Sequence, residues 1–170
     1  MKVIITGHTQ GLGLAFCNYF KGHEVIGFSR SNGYNIADLI SRNKILEAIQ
    51  DADIFINNAY NNYDDAQFQL LTSAYNLWQG TDKVIVNLSS RYTTGSEKYC
   101  KDKELQDIFC KSKEFTLPYI INLKPGLIDT NRVKHILGNR LSVNEVVDVL
   151  DFALNTSYKV HTITFGKIND

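Results

Sequence analysis

The chain has 170 residues, 44% hydrophobic and 11% aromatic, which is enough for one well-packed domain and too few for two. Its 18 Lys plus Arg balance 18 Asp plus Glu, so no net field draws it to nucleic acid or to an anionic membrane. The opening apolar run Val3-Ile4-Ile5 breaks at Gly7, too short for a signal peptide or a membrane span, and a cytoplasmic protein is expected.

Apolar runs of strand length alternate with stretches of helical period. In chain order they are strand Lys2–Thr6, helix Leu12–Phe20, strand Glu24–Ser29, helix Leu39–Ile49 and strand Asp53–Asn57. A helix around Ala66–Trp78, strand Lys83–Leu88, helix Lys98–Lys111, strand Tyr119–Leu123, helix Val143–Leu154 and strand Thr162–Phe165 follow. The rhythm predicts an α/β fold of Rossmann type: a doubly wound, mostly parallel sheet with helices on both faces, in a single domain. Asp38 is placed to cap the helix at Leu39, and Ser142-Val143-Asn144-Glu145 has capping-box form. Leu12, Ala15, Phe16, Tyr19 and Phe20 share one helical face and should meet the sheet. Pro118 and Pro125 are expected to flank the Tyr119–Leu123 strand. Cys17, Cys100 and Cys110 lack a CxxC spacing and read as reduced thiols, mostly buried. His8, His23, His135 and His161 show no i, i+4 pairing, so no metal site is expected.

Directly after the first strand stands Thr6-Gly7-His8-Thr9-Gln10-Gly11-Leu12-Gly13. Glycines at that strand-to-helix turn let the backbone approach a pyrophosphate whose charge sits on the helix N-terminus. No Gly-Lys-Ser/Thr follows, so the loop is not of Walker type. The second strand ends in Ser29-Arg30-Ser31, where a Rossmann fold meets the adenosine ribose. An acidic residue there would take a 2′-hydroxyl; Arg30 instead suits a 2′-phosphate, with Ser29 and Ser31 as further donors, so NADP(H) is favoured over NAD(H).

Later motifs follow in register: Asn57-Asn58-Ala59, Asn87-Leu88-Ser89-Ser90, Tyr99-x3-Lys103 and Pro125-Gly126-x3-Thr130. Together with the glycine loop they resemble the short-chain dehydrogenase/reductase family over Lys2 to Thr130. The resemblance implies a carbonyl–alcohol oxidoreductase acting on a small molecule. Tyr99 would exchange a proton with the substrate oxygen, Lys103 would ease phenolate formation and hold the nicotinamide ribose, and Ser90, with Ser89 as fallback, would polarise the substrate. It also implies that Gly7, Thr9, Gln10, Gly11, Leu12 and Gly13 line the cofactor, as do Asn58 and Ala59 beyond the Asp53–Asn57 strand. Pro125, Gly126, Ile128 and Thr130 would border the nicotinamide, and Asn35 and Ile36 fall where family members touch adenine.

The chain departs from the family pattern in several places. It is shorter than a usual member, and the interval Arg30 to Asn35 leaves no room for the family's helix there, which implies a trimmed connection. The family's usual glycine after Ala59 is Tyr60, in the polar aromatic stretch Asn58–Tyr63. The Ser90 to Tyr99 spacing is tight, and the family's asparagine that organises a water relay has no clear match; counting back from Ser90 lands near Gln67. The segment Asn131–Leu141 is short for a substrate cover, which predicts an open pocket. Two alternatives stand beside the oxidoreductase: a dinucleotide-binding regulatory or scaffold protein without catalysis, and a nucleotide-sugar epimerase or dehydratase. Family members pair through the helices that here span 66–78 and 98–111, which predicts a homodimer or tetramer.

Overall fold

The computed structural model describes residues 1–62, 64–91, 96–131 and 138–167; Tyr63, His135 and most of the 131–141 connection therefore lie outside the described residues. Unbroken aliphatic runs become strands that are covered on both faces. β1 (Lys2–Thr6), β2 (Glu24–Phe28), β3 (Ile54–Asn57), β4 (Val84–Leu88), β5 (Tyr119–Pro125) and β6 (Thr162–Phe165) form one sheet in the order β2-β1-β3-β4-β5-β6. Every pairing is parallel, as the alternation of elements requires.

Successive strand residues point to opposite faces, so the sheet feeds two cores. Ile4, Phe55, Ile85 and Ile120 meet α2 (Leu39–Ile49), α3 (Ala66–Leu77) and α4 (Glu97–Ser112) through Ile45, Leu70, Ala74, Trp78 and Cys110. Val3, Ile5, Ile56, Val86 and Ile121 meet α1 (Gly11–Tyr19) and α5 (Val143–Asn155) through Leu12, Phe16, Val146 and Leu150. Leu12, Phe16 and Phe20 are buried as their spacing predicts, while Ala15 and Tyr19 are half-buried. Tyr19 lies between α1 and α5, its hydroxyl donating to Asp151 over 2.6 Å.

The predicted caps form. Asp38 Oδ2 accepts from Ser41 N (2.9 Å), and Ser142 and Glu145 exchange both capping-box bonds. Most element ends fall within one residue of expectation, and β5 departs further. β5 runs through Pro125 instead of stopping at Leu123, because at its last position Pro125 needs no ladder donor, and Gly126 N donates to Phe165 O in its place (2.7 Å). The Arg30 to Asn35 interval is trimmed, as expected: among the described residues it holds a single 3-10 turn, Arg30–Asn32, before α2. Asn32 makes this turn by accepting from Ser29 N and donating to Gly27 O, both over 2.8 Å, and Gly33 takes the left-handed conformation that follows. α2 then serves as the return crossover to β3, and β2 is left at the sheet edge.

Candidate functional site

The segments just past the carboxyl ends of β1, β3 and β5 meet at the glycine loop. Gly7 and Gly11 have φ of +71° and +52°, a region that favours glycine. A Cβ on Gly13 would lie 2.1 Å from Gly7 O, so the loop closes on itself only with a bare Cα there. Gln10 caps α1 with an extended backbone and no side-chain cap bond, and intrahelical bonding begins with Leu14 N to Gln10 O at 3.3 Å. The preceding helix-start N–H groups, of Gly11, Leu12 and Gly13, therefore have no acceptor within the helix and share its positive end. That arrangement fits an anionic diphosphate. Thr9, Gln10 and Gly11 are exposed beside it, and Leu12 and Gly13 are buried.

Side chains beneath the loop fix its shape. Thr6 Oγ1 accepts from Asn58 N and Ala59 N, each at 3.0 Å, and Asn58 Nδ2 donates back to Thr6 O at 2.9 Å. Asn58 thus braces the loop from below, and a Cβ on Gly7 would come within 3.4 Å of Ala59. On the far side, a Cβ on Gly11 would meet Thr130 Cγ2 at 3.3 Å, which brings the Pro125–Thr130 segment to the loop. In that segment Pro125 and Gly126 are buried, and Ile128 bridges to Leu141. Gly27, which sequence reasoning passed over, also faces a close approach: a Cβ there would sit 2.1 Å from the His8 ring, a side chain, whereas at Gly13 it would meet backbone.

At the β2 end, Ser29 Oγ and Ser31 Oγ lie 2.8 Å apart, and Arg30 is exposed on the 3-10 turn between them. Asn35 is exposed, its Oδ1 accepting from Ala37 N (3.2 Å). Ile36, only 7% exposed, packs in the core with Phe28 and Ile45, so of this pair Asn35 alone offers much surface.

At the β4 end stand the proton-handling candidates. Ser96 caps α4 by accepting from Tyr99 N (3.2 Å), which puts Tyr99 in the first turn, where the helix dipole favours negative charge. Lys103, one turn on and 6% exposed, donates to Leu88 O at 2.6 Å and to Gln67 Oε1 at 2.7 Å. Its Nζ lies 5.7 Å from the Tyr99 ring centroid and 5.1 Å from that of Tyr60. Tyr60 in turn meets Tyr99 edge-on (5.1 Å) and donates its hydroxyl to Asp102 Oδ2 (3.0 Å). Ser90 is half-buried just past β4; Ser89 is 6% exposed, and its hydroxyl has no hydrogen-bond partner among the described residues. The structure therefore brings Tyr99 and Lys103 together and places Ser90 at the neighbouring strand end, while residues 92–95 between Ser90 and Tyr99 lie outside the described set.

Gln67 proves to be the partner of Lys103. Its Nε2 donates to Asn57 O (2.8 Å) and Leu88 O (3.1 Å), which turns Oε1 toward the ammonium. Beside it runs a buried ladder that sequence reasoning missed: Asn57 Nδ2 to Asn87 Oδ1 (3.1 Å), Asn87 Nδ2 to Asn122 Oδ1 (2.9 Å) and Asn122 Nδ2 to Asp107 Oδ1 (2.8 Å). The signal was present, since each asparagine follows an aliphatic run and the three occupy one register across β3, β4 and β5.

Among the described residues, one hollow lies away from this strip and another adjoins the Pro125–Thr130 segment. The first, about 640 Å³, opens at the amino ends of the strands, between Phe20, His23, Asp53 and Leu154. The other, about 400 Å³, is lined by Asp129, Arg140, Ser142, Glu145 and Lys167. Among the described residues no His, Cys, Asp or Glu cluster could hold a metal, and no helix is long and apolar enough to cross a membrane.

The sequence matches no protein-family model and no curated protein. Solved structures do resemble it. A short-chain dehydrogenase from Burkholderia cenocepacia in complex with NADP superposes with a TM-score of 0.78 at 16% identity, over 96% of this chain and 88% of that one. A 4-hydroxyisoleucine dehydrogenase complexed with NADH gives 0.77 at 15% identity, over 97% and 96%. The 3-alpha-hydroxysteroid dehydrogenase from Pseudomonas sp. B-0831 complexed with NADH gives 0.74 at 15% identity, over 97% and 94%. The fold is thus that of the short-chain dehydrogenases/reductases.

Proposed function

We propose that the protein is a nicotinamide-dinucleotide-dependent oxidoreductase that interconverts a small carbonyl compound and its alcohol, with NADP(H) preferred over NAD(H). The observation that carries this reading is the Lys103 ammonium 5.7 Å from the Tyr99 ring, at the strand edge that also bears the glycine loop. Folds of this kind bind ligands outside the carboxyl ends of their strands. When bound, the cofactor supplies or accepts the hydride.

The chain's own residues do the rest. The α1 N-terminus and the bare backbone of Gly7, Gly11 and Gly13 bind the pyrophosphate. Arg30, with Ser29 and Ser31, takes the 2′-phosphate through charge-assisted hydrogen bonds; Asn35 serves the adenine side. Ala59, Pro125, Gly126, Ile128 and Thr130 border the nicotinamide half. The Tyr99 hydroxyl exchanges a proton with the substrate oxygen. A free tyrosine has a pKa near ~10 and is a poor base at neutral pH, so the phenolate needs the nearby cation of Lys103 and the positive end of α4. Gln67 and the Leu88 carbonyl hold Lys103 in place. Ser90 donates to the substrate oxygen and polarises it. Self-association through α3 and α4 belongs to the same reading, supported by Leu105 and Ile108 exposed on α4, although Leu70, Leu71, Tyr75 and Trp78 of the α3 region are spent in the protein's own core.

Tyr99→Phe tests the catalytic part. Turnover of a carbonyl panel with NADPH should fall at least a thousandfold while NADPH affinity stays within about twofold, the pattern of an interaction made only in the transition state. Unchanged turnover would refute the role of Tyr99. Wild-type protein that binds NADPH yet reduces nothing would favour a non-catalytic, cofactor-sensing protein.

A further inference from the structure

Tyr60, three residues past the end of β3, stands between the Ala59 that flanks the glycine loop and the proton-handling pair on α4. A Cβ on Gly7 would lie 3.4 Å from Ala59, and Tyr60, the residue after Ala59, reaches α4 with its ring edge-on to Tyr99 and its centroid 5.1 Å from Lys103 Nζ. Its hydroxyl is anchored on Asp102, a carboxylate whose side chain is 8% exposed and which Lys98 holds through an ion pair at 2.9 Å. Below it, Lys103 is committed to Gln67 and Leu88 O and is only 6% exposed. A dinucleotide laid across the loop past Ala59 therefore encounters the Tyr60 ring before it can reach that ammonium.

We propose that Tyr60 is a cover over Lys103, latched on Asp102, which the nicotinamide half of the cofactor must displace on binding. The proposal rests on the cofactor reading above. Part of the cofactor's interaction with the protein is then spent on opening the latch, so the covered form lowers apparent affinity in proportion to how rarely the open form is populated. Binding energy used in this way also couples exposure of Lys103 to the presence of cofactor.

The test compares wild type, Tyr60→Gly and Tyr60→Phe by calorimetric titration with NADPH and, separately, NADH. Removing the ring should tighten binding of the preferred nucleotide at least tenfold. Tyr60→Phe, which keeps the ring and loses the anchor on Asp102, should fall between the two and provides the comparison if the glycine variant folds poorly. In wild-type protein carrying ring-labelled tyrosine, the resonance missing from Tyr60→Phe should shift on saturation with nucleotide. Variants that bind no tighter than wild type, or more weakly, would overturn the cover and show that the ring supports the cofactor. No binding of either nucleotide by any of the three proteins would overturn the cofactor reading itself, and the cover with it.

Discussion

Replacing Gly13 with alanine adds one methyl group at the tightest point of the loop. The new Cβ would lie 2.1 Å from Gly7 O, 2.7 Å from Gly7 C and 2.9 Å from Asn58 Nδ2. Ordinary contact begins at 3.4 Å, so backbone has to move by more than an ångström, and no flexible side-chain tip can absorb the whole shift. Moving Gly7 strains its bond to Phe28 O (2.7 Å), and moving Asn58 loosens its bond to Thr6 O (2.9 Å). Overpacking costs about 1–3 kcal/mol, and each weakened bond adds up to ~1 kcal/mol. A loss of about 2–4 kcal/mol in urea unfolding is expected, with NADPH affinity lowered at least tenfold because the phosphate cradle itself is displaced. Gly22→Ala is the control, since a Cβ there meets nothing within 4 Å. If Gly13→Ala unfolds at the wild-type midpoint and binds nucleotide as tightly as Gly22→Ala, the reasoning from close approach is wrong.

Arg30→Ala should weaken NADPH binding by ten- to a hundredfold and leave NADH within about twofold, because a charge-assisted contact to phosphate contributes roughly 1.5–3 kcal/mol; equal losses for both nucleotides, measured by parallel titration, would remove the 2′-phosphate assignment. Burial pushes the Cys110 thiol up to about 12. A folded-state value raised above the unfolded one favours the neutral thiol, so this contribution is complete below pH ~8.5 and is lost as pH rises toward the folded value. Iodoacetamide at pH 8 should accordingly alkylate Cys110 only on unfolding, and mass spectrometry finding it modified in the native protein would contradict its burial.

Much of this architecture was legible because strand and helix periods differ sharply in the sequence. Val3-Ile4-Ile5 and Ile54-Phe55-Ile56 have no polar alternation and could only be strands buried on both faces. The Asp38 and Ser142 caps were visible because capping is local chemistry. Tyr99 and Lys103 were readable as a pair because a fixed helical spacing ties them together. What escaped was whatever depends on contacts distant in sequence. Gln67 and Lys103 lie 36 residues apart and meet only because α3 and α4 pack on the same face of the sheet. The constraint on Gly27 comes from His8 on another segment, and no local pattern marks it. Ile36 also packs with Phe28 and Ile45, a contact between segments that no local pattern marks. Part of the apolar breadth of α3 is likewise used within the protein, where Phe68 and Tyr75 both pack against Phe109 of α4.

The central claim is that the glycine loop and the α1 N-terminus hold a nicotinamide dinucleotide. Calorimetric titration of the wild-type protein with NADPH and NADH, side by side in the same buffer, tests it most directly. The account predicts one saturable site per chain for both, with NADPH bound at least tenfold more tightly. Absence of binding by either nucleotide at millimolar concentration would contradict it.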